Sequence, residues 1–406
     1  MAGTAEILNK WSTAAALLSM AILGPDPREY ALAAATFVSS VAVMILSGLV
    51  NKSTKKGGKG ILPFALVVCL AMSLPVARSN GVSYEIWLFR GAVPFFTFLI
   101  FYFFAFTKDA NFLFRFIILS CLAWACKVFI IIYMSDTFFA DRYTTVTKDL
   151  LLPFNIIGIA LLLFYPSIMS SKFRWTALLA MMVMTGLAGY RSQFAIVFVL
   201  FAIFILRELS YKRAMFALVS LGAGAFGFFY FLSTRSGEFL LQRMSGQANA
   251  TADYGRMAEI EFAWDKFLSS PLYGVGLGTP IPPSVTFAGR EAYLAGLFNT
   301  YGTSYHVTYM HNVVMYCLMS IGLVGTIAYF GTIFFNWGPM KKTSVLQNRF
   351  GVLLGLVALI AFNLVAATFT LLQWQVMVAC LSAVAATRFV PAMHTSRSYQ
   401  RVSAAR

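Results

Sequence analysis

The chain has 406 residues, of which 59% are hydrophobic and only 11% are charged. Its mean hydropathy of +0.76 excludes an ordinary soluble domain, in which about half of the residues are apolar. A net charge of +16 would suggest nucleic-acid binding in a soluble protein. Here the basic residues lie in short connections between apolar runs, so no nucleic-acid partner is predicted. The five cysteines lie inside apolar runs, which predicts neither disulfides nor a zinc site.

Long uncharged runs recur along the chain, each close to the roughly 20 residues that a helix needs to cross a bilayer core. Because the runs are continuous rather than alternating, they predict helices and not the strands of a barrel. We therefore expect an all-α integral membrane protein with about twelve spanning helices. The expected spans are residues 11–24, 30–50, 61–77, 86–106, 112–134, 151–170, 175–190, 193–206, 214–233, 311–336, 350–370 and 373–390.

Lysine and arginine are concentrated in every second connection between these spans. Cytoplasmic loops carry such an excess, so the pattern predicts that both termini face the cytoplasm. The chain then divides into nine spanning helices in 1–231, a periplasmic segment 232–310, further spanning helices in 311–390 and a basic cytoplasmic tail 391–406.

The long segment 232–310 contains one helical pattern. Its apolar side chains recur at intervals of three and four residues, which places them on one stripe of a helix. Such a helix either lies on the membrane surface or folds over the helical bundle. The stripe consists of Met257, Ile260, Trp264, Phe267 and Leu268.

His311 and Asn312 stand at the start of the tenth expected span. At about 100° per residue, Gly322 falls three turns below His311 on nearly the same face, and Gly325 falls beside that line. Small residues on one face predict close helix approach. An imidazole at a helix start near water is placed to accept a proton at neutral pH. The alternative is a lone interfacial histidine.

Two arginines on the periplasmic side are candidates for binding an anion. Arg191 lies between the seventh and eighth spans, and Arg256 stands at the head of the amphipathic helix. A guanidinium is suited to bidentate phosphate binding, although Arg191 could equally be an anchor that snorkels to the surface. The glycine-rich run 271–278 follows no strand and precedes no Lys-Ser or Lys-Thr pair, so it is interpreted as a turn and not a phosphate loop.

These motifs together resemble the bacterial O-antigen ligase and O-antigen polymerase superfamily. Its C-terminal signature is a histidine, a small polar residue, nine positions and then Gly-x-x-Gly, which His311, Asn312, Gly322 and Gly325 match. The resemblance covers residues 175–390, and the N-terminal half is similar only in its hydrophobic profile.

The resemblance implies a glycosyltransferase of the GT-C type in the bacterial inner membrane, with its active site facing the periplasm. The implied donor is a saccharide on undecaprenyl diphosphate. The acceptor is lipid A core oligosaccharide for a ligase, which we favour, or the growing lipid-linked chain for an O-antigen or exopolysaccharide polymerase. By this resemblance His311 is the general base, and Arg191 and Arg256 hold the diphosphate without a metal or other cofactor.

Two alternatives compete with this interpretation. A transporter or flippase also has about twelve helices with both ends inside, and it would use an ionisable group near the bilayer midplane, for which Lys127 is the candidate. A metal-dependent glycosyltransferase would use Asp26 and Glu29 in the first outer loop, since carboxylates are preferred ligands of hard cations.

Overall fold

The fold is taken from a computed structural model. The structure describes residues 2–23, 31–50, 60–134, 154–165, 168–188, 191–207, 250–286, 308, 310–334, 345–364 and 371–386. Within these ranges the ordered elements are helices, which agrees with the all-α class predicted from the uninterrupted apolar runs. The α-helices are α1 Ala2–Ile22, α2 Ala31–Val50, α3 Ile61–Ser79, α4 Val93–Phe104, α5 Ala110–Met134, α6 Phe154–Phe164, α7 Ser171–Ala188, α8 Arg191–Arg207, α9 Ala250–Ser269, α10 Pro283–Thr286, α11 Val313–Phe334, α12 Val345–Asn363 and α13 Leu372–Ala386.

The protein is a polytopic membrane protein. Among the described residues, five helical segments are long and apolar enough to cross a membrane, and shorter apolar helices accompany them. Each predicted span coincides with a helix, except the ninth, 214–233, which lies outside the described residues. The first helix begins at Ala2, well before the predicted residue 11, so it is longer than its apolar run.

Buried polar side chains fix the packing of the N-terminal helices. The Asn9 side-chain amide on α1 donates hydrogen bonds to the backbone carbonyls of Met44 on α2, at 3.0 Å, and Phe104 on α4, at 2.9 Å. On the same end of α1, Lys108 Nζ lies 2.6 Å from Glu6 Oε2. The start of α1 therefore lies on the same side of the bundle as the connection between α4 and α5.

The fourth predicted span begins as a π-helix, Ile86–Ala92, which continues directly into α4. This wider turn brings Gly91 against the segment after α9. A Cβ atom at Gly91 would lie only 2.7 Å from Leu277 Cβ and 2.9 Å from the Gly278 nitrogen. The membrane bundle and the segment after α9 therefore meet in backbone-level contact here, which requires a residue without a side chain.

Candidate functional site

His311 is held at the entrance of α11 by the residue that follows it. The Asn312 side-chain oxygen accepts hydrogen bonds from the N–H groups of Val314, at 3.0 Å, and Met315, at 3.1 Å. Asn312 is therefore the N-cap of the helix, which satisfies donors that have no partner within the helix. The small polar residue beside the histidine thus has a physical reason: it fixes the turn from which the imidazole projects.

Glu259 on α9 contacts His311 directly. Its Oε2 accepts a hydrogen bond from the His311 backbone N–H at 2.9 Å. The imidazole Nδ1 lies 3.0 Å from Oε2 and 3.1 Å from Oε1. Because an ionised carboxylate only accepts hydrogen bonds, this contact favours the neutral tautomer with the proton on Nδ1 and the lone pair on Nε2.

The sequence analysis did not identify Glu259, because a glutamate on an amphipathic helix is ordinarily a solvated residue. Its side chain is 2% exposed, against 34% for His311. The sequence contained one weak signal for its burial, since small residues, Gly255 and Ala263, stand four positions before and after Glu259. All three residues are buried in the structure. Two small residues on either side of a carboxylate mark a face that packs closely against a neighbour, and that neighbour is α11.

The predicted apolar stripe of this helix is not the face that packs against the protein. Of the stripe, Met257, Trp264 and Leu268 are exposed and Ile260 and Phe267 are half-buried, whereas the fully buried positions are those of Gly255, Glu259 and Ala263. The prediction that α9 is helical is confirmed. The helix packs against α11, but through the face of Glu259 and not through the predicted apolar stripe. Arg256 is half-buried and precedes Glu259 by three positions, which places both on neighbouring positions of one helix surface.

The helix that begins after His311 is broken at Gly322, which has φ 66° and ψ −173°. The predicted continuous face from His311 to Gly322 and Gly325 is therefore wrong, because the 100° rotation per residue is interrupted between them. Gly322 does permit a close approach, but of a loop and not of a helix. A Cβ atom there would lie 2.4 Å from the carbonyl carbon and oxygen of Leu272.

The glycine-rich run after α9 inserts into this break. In an unbroken helix Leu323 and Val324 would donate to Met319 and Ser320, four residues earlier. Instead, the glycine-rich run accepts hydrogen bonds from the Leu323 and Val324 N–H groups and donates to the Met319 and Ser320 carbonyls. The hydrogen bonds, written from N–H to carbonyl, are Val275 to Met319 at 2.7 Å, Gly276 to Ser320 at 3.1 Å, Leu323 to Pro271 at 2.8 Å and Val324 to Leu272 at 3.3 Å.

The interpretation of this run as a turn is too simple, since it is a structural insert with three positive φ angles. Gly274, Gly276 and Gly278 have φ values of 71°, 94° and 77°. At Gly276 a Cβ atom would lie 2.5 Å from the Ala77 backbone, and Asn80 donates a side-chain hydrogen bond to the Val275 carbonyl at 2.8 Å. The break in α11 is therefore level with the end of α3.

Comparison with known proteins supports an assignment for this region. Residues 175–330 match the family model described as O-antigen ligase. This part of the chain is similar to the O-antigen ligase family. The matched range contains Arg191, Arg256, Glu259 and His311, and the family as a whole implies a membrane enzyme of the glycosyltransferase type. No curated protein matches the chain.

Arg191 is the second arginine that the resemblance to the O-antigen ligase family implies for diphosphate binding. It begins α8, but its side chain lies outside the described residues. Two positions later, the buried Gln193 accepts a hydrogen bond from Asn155 on α6 at 2.8 Å, and Asn155 also donates to Thr185 on α7 at 3.1 Å. This amide cluster joins three helices at the point where Arg191 enters the bundle.

The structure thus brings His311, Asn312 and the α9 helix of Arg256 together, with Glu259 between them. Arg191 stands at the start of α8, and its side chain is not among those that the structure describes. Asp26 and Glu29, the metal-binding alternative, lie outside the described residues. Lys127, the transport candidate, lies on α5 and is half-buried.

Proposed function

We propose that the protein transfers a saccharide from undecaprenyl diphosphate to a sugar hydroxyl on the periplasmic side of a bacterial inner membrane, as an O-antigen ligase whose acceptor is lipid A core oligosaccharide. The observation that carries the proposal is the imidazole of His311, which is engaged at Nδ1 by Glu259 and partly exposed. It lies within the segment that matches the O-antigen ligase family. Acceptor activation requires such a group, because a sugar hydroxyl is a weak nucleophile until its proton is removed.

In the proposed reaction the acceptor oxygen attacks the anomeric carbon of the donor sugar. The hydroxyl proton moves to Nε2 of His311 as the new carbon–oxygen bond forms. The bond between the anomeric carbon and the phosphate oxygen breaks, and its electron pair leaves with undecaprenyl diphosphate. The negative charge that develops on the phosphate is stabilised by Arg256 and Arg191, whose guanidinium groups bind phosphate in a bidentate manner.

The sidedness of the proposed site is supported by two sets of contacts. Lys108 and Glu6 lie together at one end of the bundle, where the basic connections predict the cytoplasm. The basic connection 51–59 precedes α3, which begins at Ile61. Asn80 follows the other end of α3, and it contacts the segment after α9. These contacts favour a site that lies opposite to the basic side, and hence a periplasmic position.

A reconstituted assay tests the proposal and distinguishes it from the polymerase. The purified protein receives a repeat unit linked to undecaprenyl diphosphate, with and without lipid A core, and the products are resolved on a gel. A ligase yields a product only with lipid A core, whereas a polymerase yields lengthened lipid-linked chains without it. Absence of both products, with flux of the intact lipid-linked substrate across the vesicle membrane, would instead favour the flippase alternative.

In this assay His311→Ala should lower turnover by about a hundredfold to ten-thousandfold, which is the usual contribution of a general base. The donor should still bind, because the imidazole acts on the acceptor proton. His394→Ala, the same change in the basic tail, is the matched control and should leave transfer unchanged. Near-normal transfer by well-folded His311→Ala protein would remove the proposed base and, with it, this mechanism.

A further inference from the structure

We propose that Glu259 is a positioning residue that sets the tautomer and the orientation of His311, so that Nε2 is the atom that takes the acceptor proton. This inference rests on the proposed function, in which His311 is the general base. Neither the signature motif nor the match to the O-antigen ligase family assigns a role to this glutamate. The argument comes from its contacts, its burial and the helix that carries it.

The contacts of Glu259 fix His311 in two independent ways. Oε2 binds the His311 backbone N–H at 2.9 Å, which fixes the position of the residue at the helix entrance. The two carboxylate oxygens lie 3.0 and 3.1 Å from Nδ1, which restricts rotation of the ring. A single carboxylate therefore determines both where the base stands and how its ring is turned.

The burial pattern indicates which side of the ring is open to a substrate. The Glu259 side chain is 2% exposed and the His311 side chain 34%. The ring edge that contacts the carboxylate therefore lies against a buried group, and the proposal assigns the accessible part of the imidazole to the opposite edge, which carries Nε2. A proton held at Nδ1 by the carboxylate leaves the lone pair at Nε2, which is the arrangement a general base needs.

The negative charge of Glu259 also has a use in the transfer step. When Nε2 takes the acceptor proton, the ring becomes a cation, while Nδ1 keeps its own proton and the carboxylate stays unprotonated. A buried carboxylate beside the ring attracts that cation more strongly than a solvent-exposed carboxylate would, because screening is weak at a buried site. A carboxylate buried without a partner would be costly, and the imidazole and the His311 backbone N–H are the partners that Glu259 has here.

The helix that carries Glu259 connects the base to the proposed leaving-group site. Arg256 lies three positions earlier on α9, on a neighbouring part of the helix surface. One rigid helix therefore sets the distance between the proton acceptor and a cation proposed to hold the diphosphate. Orienting residues on a rigid element are what a site needs when two groups must act on one bond.

The first test reads the tautomer directly and does not depend on transfer activity. The chain has only three histidines, so selective ¹⁵N-histidine labelling gives three imidazole signals, and His311→Ala assigns one of them. The wild-type His311 ring is expected to be protonated at Nδ1 and unprotonated at Nε2 in its neutral form. A wild-type ring protonated at Nε2 would overturn the inference.

The second test measures transfer by Glu259→Gln. The substitution keeps the volume of the side chain but removes its charge and replaces one oxygen with an NH₂ group. If the remaining oxygen keeps the His311 backbone N–H, the NH₂ group faces Nδ1 and drives the ring proton to Nε2. Turnover should fall about tenfold to a hundredfold, within the contribution of the base, while the donor KM changes less than about twofold.

Two controls separate positioning from general damage. Glu261→Gln is the same change on the exposed face of the same helix, and it should have no effect on turnover. In a His311→Ala background, Glu259→Gln should cause no further loss, because a residue that acts through the base has nothing left to act on. Thermal unfolding of each variant verifies that the fold is retained.

The outcomes distinguish the two proposals. If His311→Ala is inactive but Glu259→Gln equals Glu261→Gln, the base stands and the positioning role is overturned. An additional loss in the double variant would also overturn it, since the glutamate would then act independently of the histidine. If His311→Ala keeps wild-type turnover, the proposed function fails and the positioning role fails with it.

Discussion

Replacing Gly322 with alanine tests the broken helix, because two separate costs meet at this residue. Its φ of 66° and ψ of −173° lie in a region that is essentially restricted to glycine, and occupying it with another residue costs roughly 1–3 kcal/mol. The new Cβ would also lie 2.4 Å from the Leu272 carbonyl carbon and oxygen. Overpacking adds roughly 1–3 kcal/mol, so the free energy of unfolding should fall by about 2–6 kcal/mol in total.

Two other glycines separate these costs. Gly81 has a φ of 79° and open space around its Cβ position, so Gly81→Ala carries the conformational cost without the overlap. Gly355 is helical, and its nearest neighbour would be Leu381 Cδ1 at 3.6 Å, which is ordinary contact. Gly355→Ala should therefore carry neither cost and gains helix propensity.

Thermal unfolding of the purified variants in detergent provides the measurement. The unfolding midpoint should be lowest for Gly322→Ala, by on the order of 5 °C, intermediate for Gly81→Ala and unchanged or higher for Gly355→Ala. An unfolding midpoint for Gly322→Ala that equals that of Gly355→Ala would refute the account of the break, because neither the strain nor the overlap would then exist.

Two further predictions concern the proposed leaving-group site. Arg256→Gln should raise the donor KM and lower kcat together in steady-state kinetics, because a phosphate contact acts in the bound donor and in the transition state. Lys266→Gln, at an exposed cation on the same helix, is the control. Equal effects of the two variants would contradict a specific role of Arg256. Transfer should survive treatment with EDTA, since guanidinium charge is not removed by a chelator; a loss that Mg²⁺ or Mn²⁺ restores would favour Asp26 and Glu29 instead.

The sequence was sufficient for those features of the fold that depend on local pattern. Hydropathy predicts the apolar helices because each must match the thickness of the bilayer by itself. The start of α11 follows from Asn312, since an N-cap acts on the residues immediately after it. Both signals are contained in a short stretch of chain, so no knowledge of the tertiary arrangement is required.

The pairing of Glu259 with His311 and the break at Gly322 depend on tertiary contacts instead. Nothing in the residues around Glu259 shows that it is buried, because its burial comes from the packing of α9 against α11. Helical projection assigned Gly322 to a continuous face, and that projection fails when a distant segment supplies the missing hydrogen bonds. The apolar stripe of α9 also predicts the wrong packing face, since such a stripe can lie against a membrane surface instead of against the protein core.

The insertion of the 271–276 segment into α11 limits which parts of the protein can open during a catalytic cycle. Its withdrawal would leave the N–H groups of Val275 and Gly276 and the carbonyls of Pro271 and Leu272 without their present partners, and α11 could pair its own four groups only if Gly322 became helical. Each unpaired backbone group in an apolar setting costs several kcal/mol, which is more than a routine gating step can supply. We therefore expect the 271–276 segment to stay in place, so that the glycan of the proposed reaction would have to reach His311 without displacing it.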